Sequence, residues 1–266
     1  MREKAGLLLP ILIIAVAEAL YFTGSVESCL ALHALNIFAC ILLPIWDDKR
    51  MLMYQSFALV SLLRVLNIGM PVFFTETLLW MPFVYGPIII AGYIVWRQTV
   101  MGVEKMHWRN LVQFLNGHGL RSNVTWKWEY LLIAIIFGYL CSNLEFFLLD
   151  NQALVYDLGP LTLSKLLLVM VVFVGFGEEL IFRGLLQSSI EKHYGKYLAV
   201  FVSALMFAIM HSGYRSIPYL IFVFLVGLTL AYAYQRTSSL GLVALMHGLL
   251  NFFLFSFLPF GYGILP

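Results

Sequence analysis

The chain has 266 residues, of which 62% are hydrophobic and only 11% charged, and its formal net charge is +2 at pH 7. Water-soluble domains run near about 45–50% apolar and about 25% charged, so this composition excludes an ordinary soluble fold. A balance so close to neutral gives no basis for a nucleic-acid partner. The three cysteines, Cys29, Cys40 and Cys141, are odd in number and sit inside apolar runs. They offer neither a disulfide framework nor zinc-type spacing.

A helix needs about 20 apolar residues to cross the hydrocarbon of a bilayer. Runs of this kind lie at 5–23, 29–46, 51–69, 78–96, 128–149, 161–190, 197–212, 217–235 and 239–258. They are continuous rather than alternating, as membrane helices and not barrel strands require. The expected fold is therefore all-α, a polytopic transmembrane bundle of eight or nine helices. The first run follows Arg2 and Lys4 and reaches Ala17-Glu18-Ala19, which also looks like a signal-peptide cleavage site. The many spans after it favour a first membrane helix.

Basic residues fall in alternate loops: Arg2 and Lys4, Lys49 and Arg50, Arg97 to Lys127, Lys192 and Lys196, and Arg236. The opposite loops hold Lys165 and Arg215 beside Glu27, Glu76, Asp150 and Asp157. By the positive-inside rule the N terminus is expected in the cytoplasm of a cell whose plasma (inner) membrane holds the chain. The long polar stretch at 97–127, with Trp108 and Trp126 among basic residues, reads as a cytoplasmic interfacial segment. It divides N-terminal membrane helices (1–127) from a C-terminal helical core (128–266).

Charged side chains at mid-bilayer cost about 2.5–3.5 kcal/mol each on insertion scales. Their presence inside apolar runs therefore asks for a reason. The densest set is Gly177-Glu178-Glu179-Leu180-Ile181-Phe182-Arg183-Gly184. Glu179 and Arg183 stand one helical turn apart and can pair. Glu178 points about 100° away and is left for other chemistry. His211 closes the apolar run that contains Phe207. His247 and Asn251, again one turn apart, share a face of the last run. Taken singly, each has an ordinary explanation: a helix end, an interfacial histidine, or hydrogen bonds between helices.

Helix arithmetic brings them together. Glu178 and His211 are nearly equidistant from the turn expected at His193-Tyr194-Gly195-Lys196. In an antiparallel hairpin both stand on the order of 25 Å above it, while His247 and Asn251 stand roughly 17 and 22 Å above Arg236. A carboxylate facing a histidine can hold and deprotonate a water molecule. A second histidine and an amide, neither changing charge, can donate to a developing oxyanion. Glu178, His211 and His247 could instead bind Zn²⁺, so the cofactor is none or Zn²⁺ and the residues leave both open.

The ordered set Glu178-Glu179-x-x-x-Arg183, Phe207-x-x-x-His211 and His247-x-x-x-Asn251 resembles the CAAX prenyl protease and bacteriocin-processing (CPBP, Abi) family of intramembrane proteases, over roughly residues 160–258. The resemblance implies that Glu178 and His211 activate water and that His247 and Asn251 stabilise the oxyanion. Glu179 and Arg183 would be supporting residues. It further implies an endopeptidase acting on a membrane-associated or lipid-anchored protein or peptide, including C-terminal processing of exported proteins. The competing readings are a proton or metal transporter, or a non-enzymatic bacteriocin-immunity protein using the same polar cavity. The chemistry lies in the C-terminal half rather than in two repeats, which favours the protease. Arg64, Asn67, Asn143 and Glu145 are further candidates to line the cavity. His33 and Asn36, on one face of the second run, read as contacts between helices.

Overall fold

The computed structural model describes residues 2–70, 77–100, 127–149 and 151–265. Among these, nine long helices follow one another: α1 (Arg2–Phe22), α2 (Val26–Leu42), α3 (Met51–Gly69), α4 (Thr77–Val100), α5 (Glu129–Leu149), α6 (Pro160–Tyr194), α7 (Lys196–Ile209), α8 (Ile217–Thr237) and α9 (Leu240–Phe255). Seven of the helical segments are long and apolar enough to span a bilayer. The protein is an integral membrane protein, a polytopic helical bundle. Of the interfacial segment expected at 97–127, residues 101–126 lie outside the described residues.

The bundle is apolar outside and polar within. Leu12, Phe38, Ile90, Phe147, Ile221 and Leu225 are exposed, whereas Glu18, His33, Arg64, Glu145, Glu178, Glu179, Arg183 and His247 are buried. Exposed apolar surface on this scale needs an apolar surrounding, and on helices long enough to span a bilayer that surrounding is lipid. Charges kept off that surface must find partners inside. The helix–helix contacts expected of His33 and Asn36 are made. His33 Nδ1 lies 3.0 Å from Ser61 Oγ, and Asn36 Nδ2 donates to the same oxygen at 2.9 Å.

Two departures from the expected helices matter for the site. The run expected at 161–190 extends to Tyr194 and is not a uniform α-helix. Val169–Gly175 and Leu180–Gln187 wind as π-helix on either side of the short α segment Phe176–Glu179. Such widened turns are frequent at functional sites, and here they flank the paired acids. Secondly, α7 stops at Ile209, so His211 sits just past the helix end in a tight turn rather than on its last residue.

Local chemistry fixes the starts and turns. Gly195, at φ 85°, makes the sharp turn from α6 to α7 in a backbone region that favours glycine. Ser239 caps α9, accepting from Leu242 N at 3.1 Å, and so sets the phase of His247 and Asn251. The helices α6 and α9 meet almost backbone to backbone at Gly175 and Gly248. A Cβ on Gly248 would lie 2.5 Å from Val171 Cα, and one on Gly175 would lie 2.7 Å from Ala244 O. Small residues permit this approach, as is common between membrane helices. Gly248→Ala is expected to destabilise the fold by about 1–3 kcal/mol through overpacking, seen as a lower melting temperature in detergent. An unchanged melting temperature would mean that the crossing has slack.

Candidate active site

A cavity of about 350 Å³ opens between the helices. Glu178, His211, His247 and Asn251 all line it, so the four residues that helix arithmetic brings together do share one cavity. Arg64, Asn67 and Glu145 line it too, as does Tyr85. Asn143 does not face this cavity. Its side chain donates to Tyr139 O and accepts from Ile264 N at 2.7 Å, tying down the C-terminal segment.

His211 is held from the last turn of α7. Its Nδ1 lies 2.8 Å from the carbonyl oxygen of Phe207, one turn earlier. A carbonyl only accepts, so Nδ1 carries the proton and Nε2 is left for other work. Phe207 contributes its ring as well as its carbonyl. The ring centroid lies 4.9 Å from that of His211 and meets His247 edge-on at 5.4 Å. The guanidinium of Arg183 sits 4.4 Å over the same ring, a cation–π contact. One aromatic side chain thus braces three of the polar groups.

Glu178 accepts a hydrogen bond of 2.5 Å from the phenol of Tyr85 on α4, and Asn67 on α3 bonds the same phenol. The carboxylate is therefore aimed from outside the C-terminal core. Behind the cavity, Glu179 and Arg183 form the expected pair at 2.7 Å, both fully buried. Glu179 Oε1 also accepts from His247 Nδ1 at 2.9 Å, and Arg183 donates to Gly227 O at 3.0 Å. Glu179 Oε2 has no hydrogen-bond partner among the described residues. Glu145, which also lines the cavity, accepts from Tyr219 at 2.8 Å.

The two histidines each commit Nδ1 to an acceptor, an arrangement that would suit a metal ligand as well as a base. A tetrahedral zinc holds its ligand atoms about 2.0–2.3 Å from the ion, which brings them close to one another. Glu178, His211 and His247 do not form such a set. Among the described residues the three-ligand group with atoms within 4.8 Å is Glu18, Cys29 and His33. There the Arg64 guanidinium, 2.7 Å from Glu18, opposes a cation.

Several contacts in and around the candidate site escape sequence reasoning. Tyr85 looks like any aromatic in an apolar run, and nothing marks it as the partner of Glu178. Glu18 stands out only as the middle of Ala-Glu-Ala, yet it is buried at the centre of a polar network with His33, Arg64 and Ser212. The link from Glu179 to His247 joins two motifs whose relation within the sequence is invisible. Residues 160–253 match the model of a protein family described as type II CAAX prenyl endopeptidase Rce1-like. No curated protein and no solved structure matches the chain. All six motif residues, Glu178, Glu179, Arg183, His211, His247 and Asn251, fall inside the matched segment, while Glu18, Arg64, Tyr85 and Glu145 fall outside it.

Proposed function

We propose that the chain is an intramembrane protease, a reading supported by the match of residues 160–253 to the Rce1-like type II CAAX prenyl endopeptidase family model, and that Glu178 and His211 activate the water it uses. The observation that carries this reading is the shared cavity: a carboxylate and an imidazole with Nε2 unspent open on one space. Water bound there gives a proton to Glu178 or His211 Nε2 as its oxygen attacks the scissile carbonyl carbon. The carbonyl electrons move onto oxygen, and the oxyanion is met by the amide of Asn251 and by Nε2 of His247. Collapse of the tetrahedral intermediate breaks the C–N bond. The proton taken from water passes to the leaving amine, and the products are a carboxylate and an amine.

The geometry refines one expectation. With Nδ1 donating to Glu179, His247 carries a proton on Nε2 only as imidazolium. Its oxyanion role therefore uses a charged ring, with Glu179 as counter-ion. The neutral amide of Asn251 donates without any such condition. No step is routed through a metal, since Glu178, His211 and His247 are not gathered as a ligand set.

The substrate class that fits is a membrane-associated or lipid-anchored protein, cut where its chain enters the bundle. The loop charges favour an N terminus in the cytoplasm and a cavity opening on the opposite side, which suits C-terminal trimming of exported proteins. The test is cleavage of membrane-anchored substrates by purified protein in liposomes, wild type against His211→Ala. The variant is expected to lose about 10²–10⁴-fold in rate, and a chelator is expected to leave the wild-type rate unchanged. A His211→Ala protein as fast as wild type would overturn the mechanism. Loss of activity with chelator, restored by Zn²⁺, would reassign the water to a metal. Labelling that places Arg215 in the cytoplasm would overturn the orientation.

A further inference from the structure

We propose that a buried ion pair in the N-terminal helices, Glu18 of α1 with Arg64 of α3, is a clamp that positions His211 for catalysis. This rests on the proposed role of His211 and extends the machinery to two helices beyond the matched domain. Arg64 grips Glu18 with both arms of its fork, Nε to Oε1 at 2.7 Å and Nη2 to Oε2 at 2.8 Å. The same Nη2 donates to the carbonyl oxygen of Met210. On the other side of the histidine, the hydroxyl of Ser212 donates to Glu18 Oε2 at 2.5 Å. The residues immediately before and after His211 are thus tied to one ion pair.

Further contacts stiffen the arrangement. The Arg64 guanidinium lies 4.7 Å over the ring of Tyr21. Gly213 rests so closely on that ring that a Cβ there would stand 2.7 Å from Tyr21 Cε1. His33 and Ser61 back the carboxylate from α2 and α3. The turn needs this support because α7 has already ended. His211 lies at φ −98° and ψ 12°, outside the helix, and its ring is held, among the described residues, by the Phe207 carbonyl and by ring contacts. A buried ion pair is an inefficient way to gain stability, since well-packed apolar residues of similar volume often serve as well. Its bidentate geometry, in contrast, fixes direction. Bonds that straddle a single residue fix that residue.

The placement also makes the proposal testable. Arg64 lines the cavity, but neither Glu18 nor Ser212 does. Neither side chain faces substrate or water: Ser212→Ala acts through the turn, and Glu18→Gln through the turn and the Arg64 side chain that it holds. Misplacing a reacting group by an ångström costs on the order of 100-fold in rate. Ser212→Ala and Glu18→Gln are therefore expected to lower kcat, by about 10-fold and about 100-fold respectively, with KM within about 2-fold of wild type. Because the two share one bond, the double variant should fall no further than Glu18→Gln alone, rather than by the product of the two effects.

The assay uses the full chain in liposomes, with rates normalised to folded protein and Glu178→Gln run alongside. A kcat at the wild-type value for Ser212→Ala, beside an inert Glu178→Gln, would overturn the clamp and leave the protease reading standing. So would a multiplicative double variant. Should Glu18→Gln fail to fold, Ser212→Ala alone decides by its kcat. If Glu178→Gln cleaves as wild type, the failure lies in the proposed mechanism instead.

Discussion

Glu178→Gln is expected to lower the rate of substrate cleavage by about 10³-fold, within the range of about 10²–10⁴-fold that general bases contribute, and to leave the melting temperature near that of wild type. Glutamine has the same shape as glutamate, and its carbonyl oxygen can still accept the 2.5 Å hydrogen bond from Tyr85. What it cannot do is take a proton from water. Loss of rate without loss of fold therefore isolates proton transfer from packing. Glu178 is the acid aimed into the cavity, whereas Glu179 faces away and is bonded to Arg183 and His247. A Glu178→Gln protein at the wild-type rate would show that the water is activated elsewhere.

The second large effect is expected at Arg183. Removing it as Arg183→Ala leaves the fully buried Glu179 carboxylate without its guanidinium partner, with only the His247 ring beside it. Breaking a buried pair in this way costs about 3–5 kcal/mol, enough to remove much of the stability of a typical domain. The lost cation–π contact with Phe207 at 4.4 Å adds to the damage. Two double variants separate fold from function. Replacing Glu179 by leucine and Arg183 by methionine removes both charges and is expected to recover most of the melting temperature. Activity should stay low because His247 Nδ1 then has no acceptor. Pairing Glu179→Gln with Arg183→Met keeps an acceptor and is expected to recover some activity as well. Equal activity in the two double variants would deny His247 its dependence on position 179.

The bundle was legible because lipid imposes a severe rule: apolar runs must be helices, and polar groups within them must face inward. The same rule marked Glu178, Glu179, Arg183, His211, His247 and Asn251, since each breaks an apolar run at helical spacing. The hairpin about Gly195 then put Glu178 and His211 on one level, and both do line one cavity. Spacing along a helix fixes which residues share a face, but not which neighbouring helix that face meets. Tyr85 and Glu18 were unreadable for this reason, and Glu145 was legible only as a candidate. The π turns around Glu178 have no sequence signature of their own. The end of α7 before His211 is likewise unmarked in the sequence, and α1 lies against the turn that follows.

The pattern of buried pairs also bears on how the chain is made. Helices enter a membrane in the order of synthesis, and an unpartnered charge is costly at each step. Glu18 finds His33 and Arg64 within α1 to α3, before any residue of the proposed Glu178–His211 site exists. Glu179 and Arg183 arrive together on one helix and already neutralise each other. Glu178 meets Tyr85 on a helix inserted earlier, and His247 comes last, to a carboxylate already in place. Glu145 is the exception, waiting through two helices for Tyr219 on α8. With that one delay, the charges are placed so that biogenesis can settle each of them almost as soon as it appears.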